Sequence, residues 1–250
     1  MSFFLIFGLY ALVLLLISLL LANRPRLQLV AGLFLPLLLT AWWVQMNQWP
    51  LFSWIKMYSI FAGVTLLGSR YWLNKKHLYI GVSILLVLNI SEAVMYDALG
   101  GYWMNALTGL LLIAPLCTKA WHRLHELEKN GQIHYHLTLV WILSYTCWNF
   151  AFIINHYPEL VVRLSPTLLI PLAIAFVKPG KWVEYRALSF AAYYLLSASF
   201  DRTIRILETT AFTPWQVPFT VSGVVFALLV IAHEFSAIKP MTSDKARHVH

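Results

Sequence analysis

The chain has 250 residues, of which 60% are hydrophobic and only 11% charged, a balance outside that of ordinary soluble domains. Apolar runs recur along its whole length and leave no room for a separate soluble domain, so the expected class is an all-α integral membrane protein. The net charge of +8 is not a nucleic-acid footprint, because the cations gather between apolar runs rather than in one basic patch.

A hydrocarbon core of about 30 Å takes roughly 20 helical residues to cross. On that measure nine spans are expected: Phe3–Ala22, Leu27–Met46, Leu51–Gly68, Leu78–Ala98, Met104–Trp121, Tyr135–Ile154, Leu160–Val177, Ala187–Arg205 and Val217–His233. The first has no basic residue before it, no small-residue cleavage site, and Arg24 and Arg26 directly after it, so it is expected to be retained rather than cleaved as a signal peptide. Cys117 and Cys147 lie in or beside spans without C-x-x-C spacing and carry no redox implication.

Loop charges set the orientation. With the N-terminus outside, the inner loops collect Arg24, Arg26, Arg70, Lys75, Lys76, Lys119, Arg123, Lys129, Lys178, Lys181 and Arg186, and the tail adds Lys239, Lys245 and Arg247. Lys56, Arg163, Arg202 and Arg205 remain for the outer side. This asymmetry places the C-terminus inside and requires an odd number of spans, as in a bacterial cytoplasmic (inner) membrane. Tryptophans near the expected span ends fit the same placement.

The chain also resembles itself. A shift of 108 positions brings Asn47-Gln-Trp-Pro50 onto Asn155-His-Tyr-Pro158, Lys56 to one position from Arg163, and Glu92 to one position from Asp201. Helices 1–4 (residues 1–100) and 5–8 (residues 101–210) are therefore expected to form a parallel internal repeat. A ninth helix over 215–235 completes a single polytopic domain over 1–235, and residues 236–250 form a cytoplasmic tail. In each turn Pro favours the start of the next helix, the aromatic suits the headgroup layer, and Asn is expected to cap freed backbone groups.

An ionisable residue inside a span costs several kcal/mol unless it is paired or hydrated, so each such residue is a candidate site. Asn89, Glu92 and Tyr96 share one face of the fourth span, and Asp201 with Arg205 has ion-pair spacing on the eighth. With Asn149 of the sixth span, these six residues are the expected solute- or ion-binding set. Lys56, Arg163, Arg202 and Glu208 lie near span ends and are expected to form internal salt bridges, with cations snorkelling toward outer headgroups. The Ser165-Pro166 and Pro171 pattern makes the seventh span the expected hinge or unwound helix.

His122, His125, His134 and His136 frame a polar hairpin, but their spacing matches no standard zinc motif, and no metal site is expected there. There is no span-centred His suited to haem, no P-loop, no G-x-G-x-x-G, no G-x-S-x-G and no H-E-x-x-H. No catalytic residue, cofactor or nucleic-acid partner is expected; the partners are membrane lipid and a small-molecule solute or ion. The leading expectation is a small secondary transporter or permease for a small polar or charged solute, with an outward-facing site at the repeat interface. The alternatives are a non-catalytic partner or assembly protein, and a membrane enzyme using Glu92 and Asp201 as acid and base on an outer-leaflet lipid. The enzyme ranks lowest, since nothing identifies a nucleophile or an oxyanion hole.

Overall fold

The computed structural model describes residues 3–22, 24–47, 49–119, 134–135, 137–208 and 213–236. His122, His125, His136, the tail beyond Ser236 and the side chain of Arg202 lie outside the described set. Helices run over Phe3–Ala22 (α1), Pro25–Met46 (α2), Leu51–Gly68 (α3), Lys75–Leu99 (α4) and Trp103–Lys119 (α5). They continue as Leu139–His156 (α6), Val161–Val177 (α7), Trp182–Ile204 (α8) and Gln216–Ser236 (α9). Among the described residues there is no β-strand. Six helical segments are long and apolar enough to cross a membrane, Phe3–Ala22, Pro25–Met46, Leu51–Tyr71, Lys76–Leu99, Pro158–Val177 and Gln216–His233, which makes this a helical multi-pass membrane protein.

Helix ends fall where local chemistry sets them. Pro25 opens α2, Asn74 accepts the Lys76 N–H at the start of α4, and Thr138 accepts the Trp141 N–H at the start of α6. Asn47 does something else than the capping expected of it at the next helix start. Its side-chain amide donates to the carbonyls of Trp43 and Ala198, both at 3.0 Å, so it closes the end of α2 and ties it to α8.

The more polar helices lie innermost, because lipid cannot satisfy what they carry. α8 packs against α1, α3 and α7, while α6 packs against α5, α7 and α9. The apolar α1, α2 and α9 turn Leu and Phe side chains outward, with Leu37 and Leu38 among the most exposed. Close approaches use glycine: a Cβ on Gly32 of α2 would lie 2.8 Å from the Thr65 backbone nitrogen of α3, and one on Gly109 of α5 would collide with Val94 of α4.

Proline acts differently in different helices. Pro36 lacks an N–H for the carbonyl of Gly32, and the backbone over Val30–Phe34 widens into a π turn. The local unwinding expected in α7 is absent, since helical structure continues through Pro166 and Pro171. The reason is visible. The carbonyl that Pro166 frees, Val162, accepts from the Ser165 hydroxyl at 3.0 Å, and the one that Pro171 frees, Thr167, accepts from Arg186 at 3.1 Å and Ser189 at 3.2 Å. The break in helical geometry lies instead in α8, at Phe200, with φ −134° and ψ 30°.

Candidate functional site

Five helices, α3, α4, α6, α7 and α8, enclose a cavity of about 380 Å³. Their contributions repeat at helical spacing: Lys56, Ser59, Ile60 and Gly63 on α3; Val82, Leu86, Asn89 and Ala93 on α4; Tyr145, Trp148, Asn149 and Phe152 on α6. α7 adds Arg163, Leu164 and Thr167, and α8 a stripe from Trp182 through Arg186, Phe190 and Tyr194 to Asp201. Trp49, Tyr157, Glu159, Arg205 and Glu208 line its Asp201 end; Leu67 and Trp182 line the opposite, Glu184 end. Burial pushes the Tyr157 phenol above its ordinary range, so the rim presents it as a neutral hydroxyl.

Polar groups on the wall are arranged as ion pairs. Lys56 Nζ lies 3.2 Å from Glu92 and also donates to the Asn89 carbonyl at 2.9 Å, tying α3 to α4. Arg163 of α7 bridges Asp201, at 2.8 Å, and Glu208, while Arg205 takes the other oxygen of Asp201 at 2.8 Å. Beyond the cavity, Arg70 and Glu184 meet at 2.7 Å with side chains only 2% exposed, and Gln28 adds a bond to the same carboxylate oxygen at 3.1 Å. Breaking such a pair from one side costs about 3–5 kcal/mol, because the survivor is a buried, uncompensated charge.

Of the six expected binding residues, Asn89, Asn149, Asp201 and Arg205 line the cavity. Glu92 reaches it through Lys56, and Tyr96 stands behind Phe52, stacked at 4.4 Å between ring centroids. Of the internal salt bridging and snorkelling expected for Lys56, Arg163 and Glu208, the structure shows the salt bridging. Lys56 and Arg163 are held inside by carboxylates, and Glu208 turns toward Arg163.

Arg186 was counted above among the inner-loop cations, with Arg70 and Lys181. All three are buried, which removes them from a tally of free loop charge. Arg186 projects into the cavity wall from the first turns of α8. It donates to the carbonyl and the hydroxyl of Thr167, both at 3.1 Å, and its guanidinium lies 4.3 Å from the centroid of Phe190 and 5.9 Å from that of Tyr145. A charge beginning a polar stretch after Pro179-Gly180 reads locally as loop; the signal available in the sequence was its helical spacing with Phe190 and Tyr194.

A second polar cluster lies where α4, α5 and α6 meet. Asp97, fully buried, accepts from Asn105 at 2.7 Å and lies 2.9 Å from His156, whose ring is surrounded by Tyr96, Tyr102 and Phe152. With Asn105 also beneath the Trp148 indole N–H, this cluster joins the three helices. Among the described residues no group of three or more His, Cys, Asp or Glu side chains could hold a metal ion.

Residues 98–247 match the model of DUF5692, a family of unknown function, and the chain belongs to that family. The matched stretch carries Asn149, Arg163, Arg186 and Asp201, whereas Lys56, Asn89 and Glu92 lie before it. No curated protein matches the chain. No solved structure matches it either.

Proposed function

We propose that this protein is a small permease that binds a small polar or charged solute in the cavity between two repeat units of a nine-span membrane domain. One observation carries the reading: the cavity draws walls from α3 and α4 of the first unit and α6, α7 and α8 of the second, and brings Asn89, Asn149, Asp201 and Arg205 to one space. About 380 Å³ lies within the usual range of small-molecule sites, roughly 300–1,000 Å³.

The repeat is supported by corresponding contacts. Lys56–Glu92 joins α3 to α4, and Arg163–Asp201 joins α7 to α8, each partner one position from its counterpart under the 108-residue shift. α1 packs on α8 as α5 packs on α4, the exchange a two-fold axis along the membrane normal produces, and α9 is the addition. Exposed Arg24, Arg26, Lys76 and Lys178 share the Glu184 end, which favours that end inside, the N-terminus outside, and a bacterial inner membrane.

In this mechanism the carboxylates are the switchable groups. A proton on Asp201 weakens its hold on Arg163 and Arg205 together, and a proton on Glu92 releases Lys56, so one protonation step alters the charge facing the solute. Asn89 and Asn149 supply neutral hydrogen-bonding groups.

Gly63 provides the test. A Cβ there meets nothing within 4 Å, so the side chain of Gly63→Leu starts in open space on the cavity wall. Proteoliposomes are to be screened with amino acids, organic acids, polyols and inorganic ions. Flux of at least one class, abolished by Gly63→Leu in a folded variant, is the expected result; no flux above empty vesicles, or flux indifferent to the plug, rejects the permease.

A further inference from the structure

The geometry points to an apolar monocarboxylate as the ligand, its carboxylate held by Arg186 and its body against the aromatic wall. This rests on the cavity being a solute site and adds the class of solute.

The other cations on the wall have carboxylate partners: Glu92 for Lys56, Asp201 and Glu208 for Arg163, Asp201 for Arg205. Among the described residues Arg186 has no carboxylate within ion-pair distance, although it is only 7% exposed. A guanidinium does not give up its proton, so burial cannot be relieved by neutralisation.

Thr167 occupies one of its terminal nitrogens, and its Nε is buried without a partner. Among the described residues the remaining donors lack an acceptor, and the missing component is an anion. Glu159 does not supply it: it precedes Thr167 by eight residues, about 12 Å along a helix at 1.5 Å per residue.

The surroundings narrow the class. Phe190 stacks beneath the guanidinium, and Tyr145, Trp148, Trp182 and Tyr194 line the same space. A doubly charged, strongly hydrated anion would lose its water against those rings without replacement, whereas one carboxylate on a compact apolar body satisfies both halves of the site. Such an acid arrives either from water or from the bilayer, as a fatty acid.

The experiment is calorimetric titration of the full chain in nanodiscs with 3-phenylpropanoate and with dodecanoate, each against its uncharged amide. At least one acid is expected to bind about tenfold or more tighter than its amide, and which acid does so identifies the source. Arg186→Gln, which keeps a donor for Thr167, is expected to bring the acid-to-amide ratio to about one by weakening the acid far more than the amide; Arg186→Lys is expected to retain part of the preference. Equal binding of acid and amide by the unaltered protein, no binding of either acid at millimolar concentration, or a preference that survives Arg186→Gln overturns the assignment.

Flux separates this proposal from the permease. Arg186-dependent binding without passage across proteoliposomes keeps the anion site and removes the permease. Carboxylate flux unaffected by Arg186→Gln keeps the permease and removes the anion site.

Discussion

Glu184→Ala is expected to be among the most damaging single substitutions in the chain, although it lies outside the cavity wall. The Glu184 carboxylate receives Arg70 at 2.7 Å and Gln28 at 3.1 Å, and it sits in the first turn of α8, where a negative charge is favoured by the helix dipole. Without it, Arg70 keeps, among the described residues, the Ala22 carbonyl at 3.3 Å as its hydrogen-bond acceptor and the Tyr71 ring at 5.9 Å, its Nε already lacking a partner. Gln28 retains its bond to Leu21 at 2.9 Å. The dominant loss is therefore the stranded guanidinium, about 3–5 kcal/mol. The pair Arg70→Met with Glu184→Leu removes both charges and their desolvation together, and is expected to lie within about 1 kcal/mol of the unaltered protein. Denaturant or SDS titration followed by helicity, in one detergent for all variants, measures both. A loss below about 1 kcal/mol for Glu184→Ala, or a double variant no better than the single, refutes the reasoning.

Gly32→Ala drives a Cβ to 2.8 Å from the Thr65 nitrogen and 3.0 Å from the Phe61 carbonyl, so it is expected to cost about 1–3 kcal/mol of thermal stability, while Gly8→Ala, with nothing within 4 Å, costs none. Asn47→Ala removes bonds to two carbonyls from a residue only 8% exposed, and a loss of about 1–3 kcal/mol is expected in the same titration. Asp201→Asn is expected to lower stability by about 1–2 kcal/mol, because Arg163 keeps Glu208, whereas Arg205→Ala, at a side chain 66% exposed, changes it by less than about 0.5 kcal/mol; equal effects would contradict the pairing.

Helices of this protein were legible because an apolar run of the right length has few alternatives in a membrane. Their ends were legible only where the signal was local, as at Pro25 and Asn74. α8 shows the limit. Its expected start at Ala187 falls five residues after the observed one at Trp182, because Glu184 and Arg186 read as loop charges when their partners are unknown. Those partners are Arg70, 114 residues earlier, and Thr167, 19 residues earlier, and the first pairing is beyond any window of periodicity.

The residues on the cavity wall divide in the same way. Asn89, Asn149 and Asp201 stand out in sequence because a polar side chain inside an apolar run is conspicuous. Arg186 did not, since it sits beside other charges, and Phe190, Trp182 and Tyr194 did not, since aromatic residues are abundant throughout the chain. The expected unwinding in α7 failed for a related reason. A proline announces the carbonyl it frees, but not whether a serine or an arginine on a neighbouring helix is waiting for it.

The Arg70–Glu184 contact also has a place in time. Arg70 leaves the ribosome 114 residues ahead of its partner, an interval of roughly 6–23 s at about 5–20 residues per second. For that interval the end of α3 carries a cation with no counter-charge, and the end of α2 carries Gln28 without its acceptor. Early helices must therefore linger near the aqueous boundary at this end. The arrival of α8 brings the carboxylate that Arg70 and Gln28 share, so the packing of α1, α2 and α3 at this end is completed only once residue 184 has been made.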